Sequence, residues 1–371
     1  MALDDTKLDA IGRQAVAHTL RRLAKHGIAD LPPAYFSLVM ATGIVSIASD
    51  LLGMPRIALA LFYVNIGCFF TLWLLTGLRA LIYRDRMLFD LTAHGRSFGY
   101  FTLVAGTSVL GVQVFTLTGS SRIALWLWAL AGLLWLVVTY AVFIAVITAK
   151  HKPGLGAGLS GIWLIAAVAT QSVCGLGALI ASRFQAQAEI LLFLCLVLFL
   201  MGCMLYLLII ALIFYRLCFV SLAPQEMTPP YWINMGATAI TTHAGATLML
   251  HAGGSMLLTD LLPYLKGFTL FFWAAGTWWI PLLVALAVWT YGIRRVPMTY
   301  SPQFWGAVFP MGMYTASTYQ LAKALGTEFL LVIPKVTVYV ALAAWTLAFV
   351  GLLRQLTRAA VNRDALPLKV Q

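Results

Sequence analysis

A succession of long apolar segments is the feature that most constrains this chain. A helix rises about 1.5 Å per residue, so about 20 apolar residues cross a hydrocarbon core of about 30 Å. Only 10% of the residues are charged, whereas soluble domains carry about 25%. The pattern predicts an all-α polytopic membrane protein with ten transmembrane helices, at 35–52, 57–82, 98–118, 122–148, 158–181, 188–215, 231–254, 267–291, 304–325 and 332–353. They form one membrane domain, 35–355, which is followed by a short tail, 356–371.

The positive charge of the chain is distributed unequally between the two sides of the predicted bundle. The 24 Lys and Arg residues exceed the 12 Asp and Glu residues, which gives a net charge of +12. If the helices alternate in direction, eighteen of the 24 basic residues fall on the side of the N-terminus. Basic loops stay in the cytoplasm. We therefore expect an integral protein of the plasma or inner membrane with both termini cytoplasmic, and the charge gives no reason to expect nucleic-acid binding.

The N-terminal segment, 1–34, is polar and basic. Between Arg13 and His26 its composition is compatible with a basic amphipathic helix that lies on the inner leaflet. A solvated tail explains the same composition equally well, so both interpretations stay open.

Polar and small residues are concentrated in every second predicted helix. The odd-numbered helices contain 40 Gly, Pro, Ser, Thr, Asn, Gln and His residues, and the even-numbered helices contain 19. Lipid tolerates few polar groups, so polar helices belong inside a bundle or along a wet cavity. We expect five tandem helical hairpins around a central pore, with the odd helices lining it and the even helices facing lipid. Close packing through small residues is the alternative explanation at any single position.

The acidic residues restrict what such a pore carries. Asp50, Glu189, Asp260 and Glu328 lie near helix ends, and no carboxylate lies in the middle of a predicted helix. Cation pathways usually carry carboxylates, so this absence favours small anions, whose hydration is partly replaced by hydroxyl dipoles and helix termini. The residues predicted to line the pore are Thr42, Gly43, Ser46, Gly106, Thr107, Gln113, Thr170, Gln171, Gly175, Thr238, Thr242, His243, Gly312 and Thr315.

Two positions carry alternative interpretations. His243 lies at mid-depth in the seventh helix, where it either contacts an anion and exchanges a proton, or is a neutral histidine hydrogen-bonded between helices. Phe309 precedes Pro310, which kinks the ninth helix. A large aromatic side chain beside a kink can close a pathway as a hydrophobic gate, and ordinary packing is the other interpretation of Phe309.

The sequence offers no constellation typical of an enzyme or a metal site. It contains no HExxH motif and no Ser/His/Asp arrangement, and mid-helix carboxylates are missing. His243 and His251 are about two helical turns apart without a carboxylate partner. The five cysteines are scattered through apolar segments without metal-binding spacing. We therefore expect neither an enzyme nor a bound metal or other cofactor.

Three short segments resemble the tellurite-resistance/C4-dicarboxylate transporter family, which includes the plant guard-cell slow anion channels and fungal malate and sulfite transporters. They are PAYFSLVMATGIVS at 33–46, YWINMGA at 231–237 and FWGAVFPM at 304–311. The similarity extends over all ten predicted helices, from about 30 to 355. The plant channels have long phosphorylatable termini that this chain lacks, so kinase control is not expected.

The resemblance implies a homotrimer in which each subunit has its own pore, and a phenylalanine of the ninth helix that blocks this pore. Phe309 is the matching position. The leading hypothesis is gated conduction of small inorganic anions or carboxylates. The alternative is a proton-coupled carrier for C4-dicarboxylate, sulfite or tellurite, with His243 as the coupling group.

Overall fold

The computed structural model describes residues 27–184 and 187–361, and every regular element in these ranges is helical. We label its ten long helices in chain order: α1 Ser37–Leu51, α2 Pro55–Ile82, α3 Phe101–Thr118, α4 Ser121–Thr148, α5 Ile165–Ala181, α6 Ala188–Phe219, α7 Ile233–Leu250, α8 Leu262–Ala287, α9 Trp305–Leu325 and α10 Val332–Val361. The all-helical fold class predicted from the sequence is thereby confirmed. The proposed surface helix between Arg13 and His26 lies outside the described residues.

Eight helices of the described chain are long and apolar enough to cross a membrane, and they include all the long helices except α7 and α9. The two exceptions have similar lengths, 18 and 21 residues. They differ in composition, because α7 contains a run of threonines around His243 and α9 contains Gly, Ser and Thr together with Lys323. Apolar length alone therefore supports eight membrane spans.

The structure corrects several predicted boundaries, most of all that of α10, which continues to Val361, eight residues beyond the predicted end at 353. α8 begins at Leu262, five residues before the predicted start, because Pro263 occupies the first turn of the helix, where its missing N–H costs nothing. The connection 83–97 is not simply a loop, because it contains a polar helix, Arg84–Thr92.

The five odd-numbered helices pack against one another in a closed order. α1 contacts α3, α3 contacts α5, α5 contacts α7, α7 contacts α9, and α9 returns to α1. Each even-numbered helix packs chiefly against the odd helix that precedes it. The result is an inner ring of five helices, surrounded by the five even helices.

Burial follows the same division. In the most apolar 18-residue stretch of each span, 94% of the residues are buried in Gly161–Ala181, which contains α5, but only 17% in α4. The outer helices expose large apolar side chains, among them Trp126 and Leu133 of α4 and Phe193 of α6. Exposed apolar surface of this extent is the face that lipid covers in a membrane protein.

Each inner helix starts with a short 3-10 turn. These turns are Pro33–Phe36, Ser97–Tyr100, Gly161–Leu164, Pro229–Trp232 and Pro302–Phe304. They also contact one another in a closed order, so the N-termini of all five inner helices lie at the same end of the ring. The partial positive charges of five helix dipoles therefore converge on that end.

Candidate central pathway

A small cavity lies at the centre of the inner ring, halfway along its helices. All five inner helices contribute to its wall: Ile44 and Ile47 from α1, Val109 and Val112 from α3, Gln171, Ser172, Gly175 and Leu176 from α5, Ile240 and His243 from α7, and Met313 from α9. Its volume of about 20 Å³ is room for about one water molecule. The centre of the ring is therefore narrow at this depth.

Phe309 lies on the same face of α9 as Met313, which borders this cavity. Gly312 of the same helix contacts Ile44 and Val45 of α1, whereas Pro310 contacts α7. Phe309 lies between these two contacts, about one helical turn before Met313. Its side chain is 1% exposed. Phe309 therefore lies about 6 Å from Met313 along the helix, toward the N-terminal end of the ring.

Pro310 is accommodated by a glycine of the neighbouring helix. A β-carbon added to Gly236 of α7 would lie 2.7 Å from Cγ of Pro310, which is too close for any side chain. The pair brings the backbones of α7 and α9 together next to Phe309. The position of the aromatic ring thus depends on the packing of these two helices.

Most of the hydroxyl and amide side chains predicted to line the pore instead contact the outer helices. Six of them have such a partner. Thr42 accepts a hydrogen bond from Nε1 of Trp345, Gln113 accepts from Nδ2 of Asn65, and Thr170 accepts from Nε1 of Trp135. Ser46 donates to the main-chain O of Ala58, Gln171 to the main-chain O of Phe199, and Thr315 to Thr337. These bonds are 2.6 to 3.0 Å long. In lipid, a polar group on an inner helix gains most from a partner on the helix that covers it.

The remaining predicted residues divide between helix contacts and the cavity. The glycines Gly43, Gly106 and Gly312 each face another inner helix or its covering helix, where a β-carbon would contact a neighbouring side chain or backbone. Thr107, Thr238 and Thr242 each donate to a main-chain O of their own helix. Three of the predicted residues border the cavity, namely Gln171, Gly175 and His243.

The wall of the cavity is mostly aliphatic, which the polar pattern of the sequence did not indicate. Ile44, Val109 and Ile240 are among the side chains that form it. The usable signal was helical periodicity, because Ile44 and Ile47, or Ile240 and His243, are three residues apart and share a face. In the described part of the chain, no three His, Cys, Asp or Glu side chains are grouped as a metal site requires.

Charged side chains occur at the end of the bundle where the inner helices begin. Arg79 and Asp90 form an ion pair of 2.7 Å, and each side chain is at most 4% exposed. Arg96 contacts the other oxygen of Asp90 at 3.1 Å. Arg79 thereby anchors the helix Arg84–Thr92, and it also donates to the main-chain O of Ala29.

A second buried arginine anchors the same end of the bundle. Arg216, near the end of α6, is 4% exposed. It donates to the hydroxyl of Tyr231 and to the main-chain O of Gly156, and it pairs with Glu226 at 3.3 Å. Both arginine clusters fix the loops that lead into inner helices. Neither cluster contributes a residue to the wall of the central cavity.

Comparison with known proteins relates the chain to membrane transporters. An uncharacterised membrane protein of Mycobacterium tuberculosis is 41% identical over 161 residues, which are 43% of this chain and 80% of that protein. An uncharacterised transporter of Methanocaldococcus jannaschii is 27% identical over 309 residues, covering 80% of this chain and 85% of the relative. A sulfite efflux pump of Arthroderma benhamiae is 25% identical over 345 residues, covering 87% of this chain and 90% of the pump.

The family comparison covers the whole ring of inner helices. Residues 30–353 match the family described as voltage-dependent anion channels. This range begins before the first 3-10 turn and ends within α10, so it includes every residue that borders the central cavity. The chain is a membrane protein that belongs to the voltage-dependent anion channel family.

Proposed function

We propose that this protein conducts small anions across the membrane through the centre of its inner ring, and that Phe309 closes this pathway. One observation carries the proposal: all five inner helices meet at mid-depth around a cavity whose wall contains no charged residue. A pathway for cations would be expected to place carboxylates there. The structure then corresponds to a closed state, since the cavity has room for about one water.

The proposed topology has ten membrane-spanning helices, arranged as five tandem hairpins. α7 and α9 are too polar to face lipid, but 17 of 18 residues of α7 and 15 of 21 residues of α9 are buried by neighbouring helices. Polar spans are tolerated inside a bundle. An even number of spans places both termini on one side, which the basic residues identify as the cytoplasm. The N-termini of the inner helices then surround the cytoplasmic mouth, where their dipoles favour anions.

The test of the gate is anion flux through the variant Phe309→Ala in proteoliposomes. Removal of the ring opens space on the face that carries Met313, so we expect chloride flux to rise by about tenfold or more. The matched control is Phe101→Ala. Phe101 is also fully buried, but it packs outward against Phe143 of α4, with the ring centroids 6.3 Å apart.

The control separates opening of the pathway from general loosening of the bundle. Phe101→Ala should leave chloride flux at the wild-type level even if it lowers stability. Equal fluxes in well-folded Phe309→Ala and wild-type protein would contradict the gate. A similar rise in both variants would show that the increase is a leak.

The second candidate function is a proton-coupled carrier for small oxyanions or dicarboxylates. The observation that favours it is the position of His243, which borders the cavity and whose Nδ1 has no hydrogen-bond partner among the described residues. It is supported by the relative named as a sulfite efflux pump. A carrier of this kind shows uptake driven by a pH gradient, and His243→Ala abolishes that coupling. Flux that follows voltage alone, unaffected by a pH gradient, would exclude it.

We further propose that the protein assembles as a homotrimer with one pathway in each subunit, which rests on the family resemblance. The apolar faces of the outer helices supply the surface for such contacts. Native mass spectrometry of the detergent-solubilised protein measures the number of subunits. A monomer or dimer under conditions that preserve anion flux would contradict this assembly.

A further inference from the structure

Two residues that border the central cavity each have one buried polar atom without a hydrogen-bond partner among the residues that the structure describes. These atoms are Oε1 of Gln171 on α5 and Nδ1 of His243 on α7, and both residues border the cavity. Gln171 is fully buried, and His243 is 9% exposed. Buried polar groups are nearly always hydrogen-bonded. Two unpaired groups at one cavity therefore point to a polar ligand.

The orientation of the Gln171 amide is fixed by its other contact. Nε2 donates to the main-chain O of Phe199 at 3.0 Å, and a carbonyl oxygen can only accept a hydrogen bond. The amide lies against Gly202 of α6, where an added β-carbon would be 2.6 Å from Nε2. Oε1 is therefore the atom of Gln171 left without a partner, and it can only accept.

The other polar side chains of the cavity define which hydrogen bonds a ligand can make there. Ser172 already donates its hydroxyl hydrogen to the main-chain O of Val168 at 2.7 Å. His243 is the one titratable side chain among the residues that border the cavity, and its imidazole always carries at least one N–H donor. A ligand that donates a hydrogen bond to Oε1 of Gln171 and accepts one from the imidazole N–H therefore satisfies both residues.

We propose that Gln171 and His243 form a subsite that selects small oxyanions which still carry a hydroxyl proton. Such an anion donates its O–H to Oε1 of Gln171 and accepts from His243 through a charged oxygen. Chloride, nitrate and fully deprotonated oxyanions cannot donate, so they leave Oε1 unpaired and facing a negative charge. The inference rests on the proposed anion pathway and specifies the substrate class of its cavity.

The test compares two tetrahedral monoanions at mildly acidic pH, dihydrogen phosphate and methanesulfonate, of which only the first carries hydroxyl groups. Flux is measured in proteoliposomes that contain the full-length Phe309→Ala protein. We expect dihydrogen phosphate to permeate about tenfold faster than methanesulfonate, because a site built to bind a hydroxyl group rejects an analogue without one. The variant Gln171→Leu should abolish this preference by lowering the flux of dihydrogen phosphate to that of methanesulfonate.

Gln113→Leu is the matched control. Gln113 is equally buried on an inner helix and also has one unpaired amide atom, Nε2, but it does not border the cavity, so its substitution should keep the preference. His243→Phe removes the imidazole donor and supplies a second variant if Gln171→Leu does not fold, with size-exclusion chromatography reporting the folded protein.

Two results would overturn the inference and leave the proposed function intact. One is equal permeation of the two tetrahedral anions through the Phe309→Ala protein. The other is an unchanged preference in variants of Gln171 and His243 that still conduct chloride. A correctly folded Phe309→Ala protein that conducts no anion at all would instead contradict the proposed function.

Discussion

Nε1 of Trp345 in the last helix donates a hydrogen bond to the hydroxyl of Thr42 in the first, over 3.0 Å and a separation of 303 positions in the chain. Trp345 also packs near Trp305 of α9, with the ring centroids 6.4 Å apart. The last outer helix thereby spans the contact between α9 and α1, where the inner ring closes. The hydroxyl of Thr42 points toward this indole and is not available to the centre of the ring.

Trp345→Phe should destabilise the protein, because it removes the donor to Thr42. In a double-mutant cycle with Thr42→Val we expect a coupling of about 0.6 kcal/mol, typical of hydrogen bonds between membrane helices. The measurement is the free energy of unfolding in detergent. Thr346→Val is the control, since that side chain is exposed and bonds only within its own helix. Fully additive effects of the two substitutions would show that the bond contributes nothing.

Asp90→Asn should destabilise the end of the bundle where the inner helices begin. The substitution leaves the buried guanidinium of Arg79 without its charged partner, which costs about 3–5 kcal/mol in buried pairs. Asp30→Asn is the control, because the Asp30–Arg86 pair is more than half exposed and exposed pairs contribute about 0–1 kcal/mol. Thermal unfolding in detergent measures both variants. Equal effects would contradict the structural role of the buried pair.

Two glycines of α9 should respond oppositely to alanine. A β-carbon at Gly312 would lie 2.9 Å from Ile44 and 3.3 Å from the main-chain N of Val45, so Gly312→Ala should cost about 1–3 kcal/mol through overpacking. At Gly306 the nearest atom would be 3.7 Å away, so Gly306→Ala should be neutral or stabilise the helix by up to about 1 kcal/mol. The free energies of unfolding of the two variants check this order. A larger loss of stability in Gly306→Ala than in Gly312→Ala would refute the prediction.

Cysteine labelling distinguishes an aliphatic pathway from a polar one. In a Phe309→Ala protein whose five native cysteines are replaced, Met313→Cys and Ile47→Cys should react with a water-soluble thiol reagent, because both positions border the cavity. Thr42→Cys should stay unlabelled, since it faces Trp345. Labelling of Thr42→Cys without labelling of Met313→Cys would place the pathway on the other face of the helices.

The helical fold class was predictable because apolar length is a property of the sequence itself. Continuous runs such as 188–215 have no other stable conformation in lipid than a helix. The division into inner and outer helices was also visible, since polar and small residues are concentrated in every second segment. The start of α8 was predicted too late, because Pro263 in the first turn of this helix resembles a proline that follows a loop.

The direction in which individual polar side chains point was not predictable in the same way. A threonine on an inner helix satisfies its hydroxyl equally well toward a pathway or toward a covering helix, and composition does not distinguish the two. Thr170 shows this, because the indole of Trp135 on α4 fixes its direction. Gln171, its neighbour in sequence, points its amide nitrogen to α6 and borders the cavity as well.

The sequence by itself determined that this chain is a helical membrane protein whose helix centres contain no carboxylate, because span length and the cost of charge in lipid are local properties. Only the tertiary structure decided which face of each inner helix meets the central cavity. That choice depends on partners far away in the chain, such as Trp345 for Thr42 and Gly236 for Pro310. Their contacts turn most polar side chains outward and leave Gln171 and His243 at the central cavity.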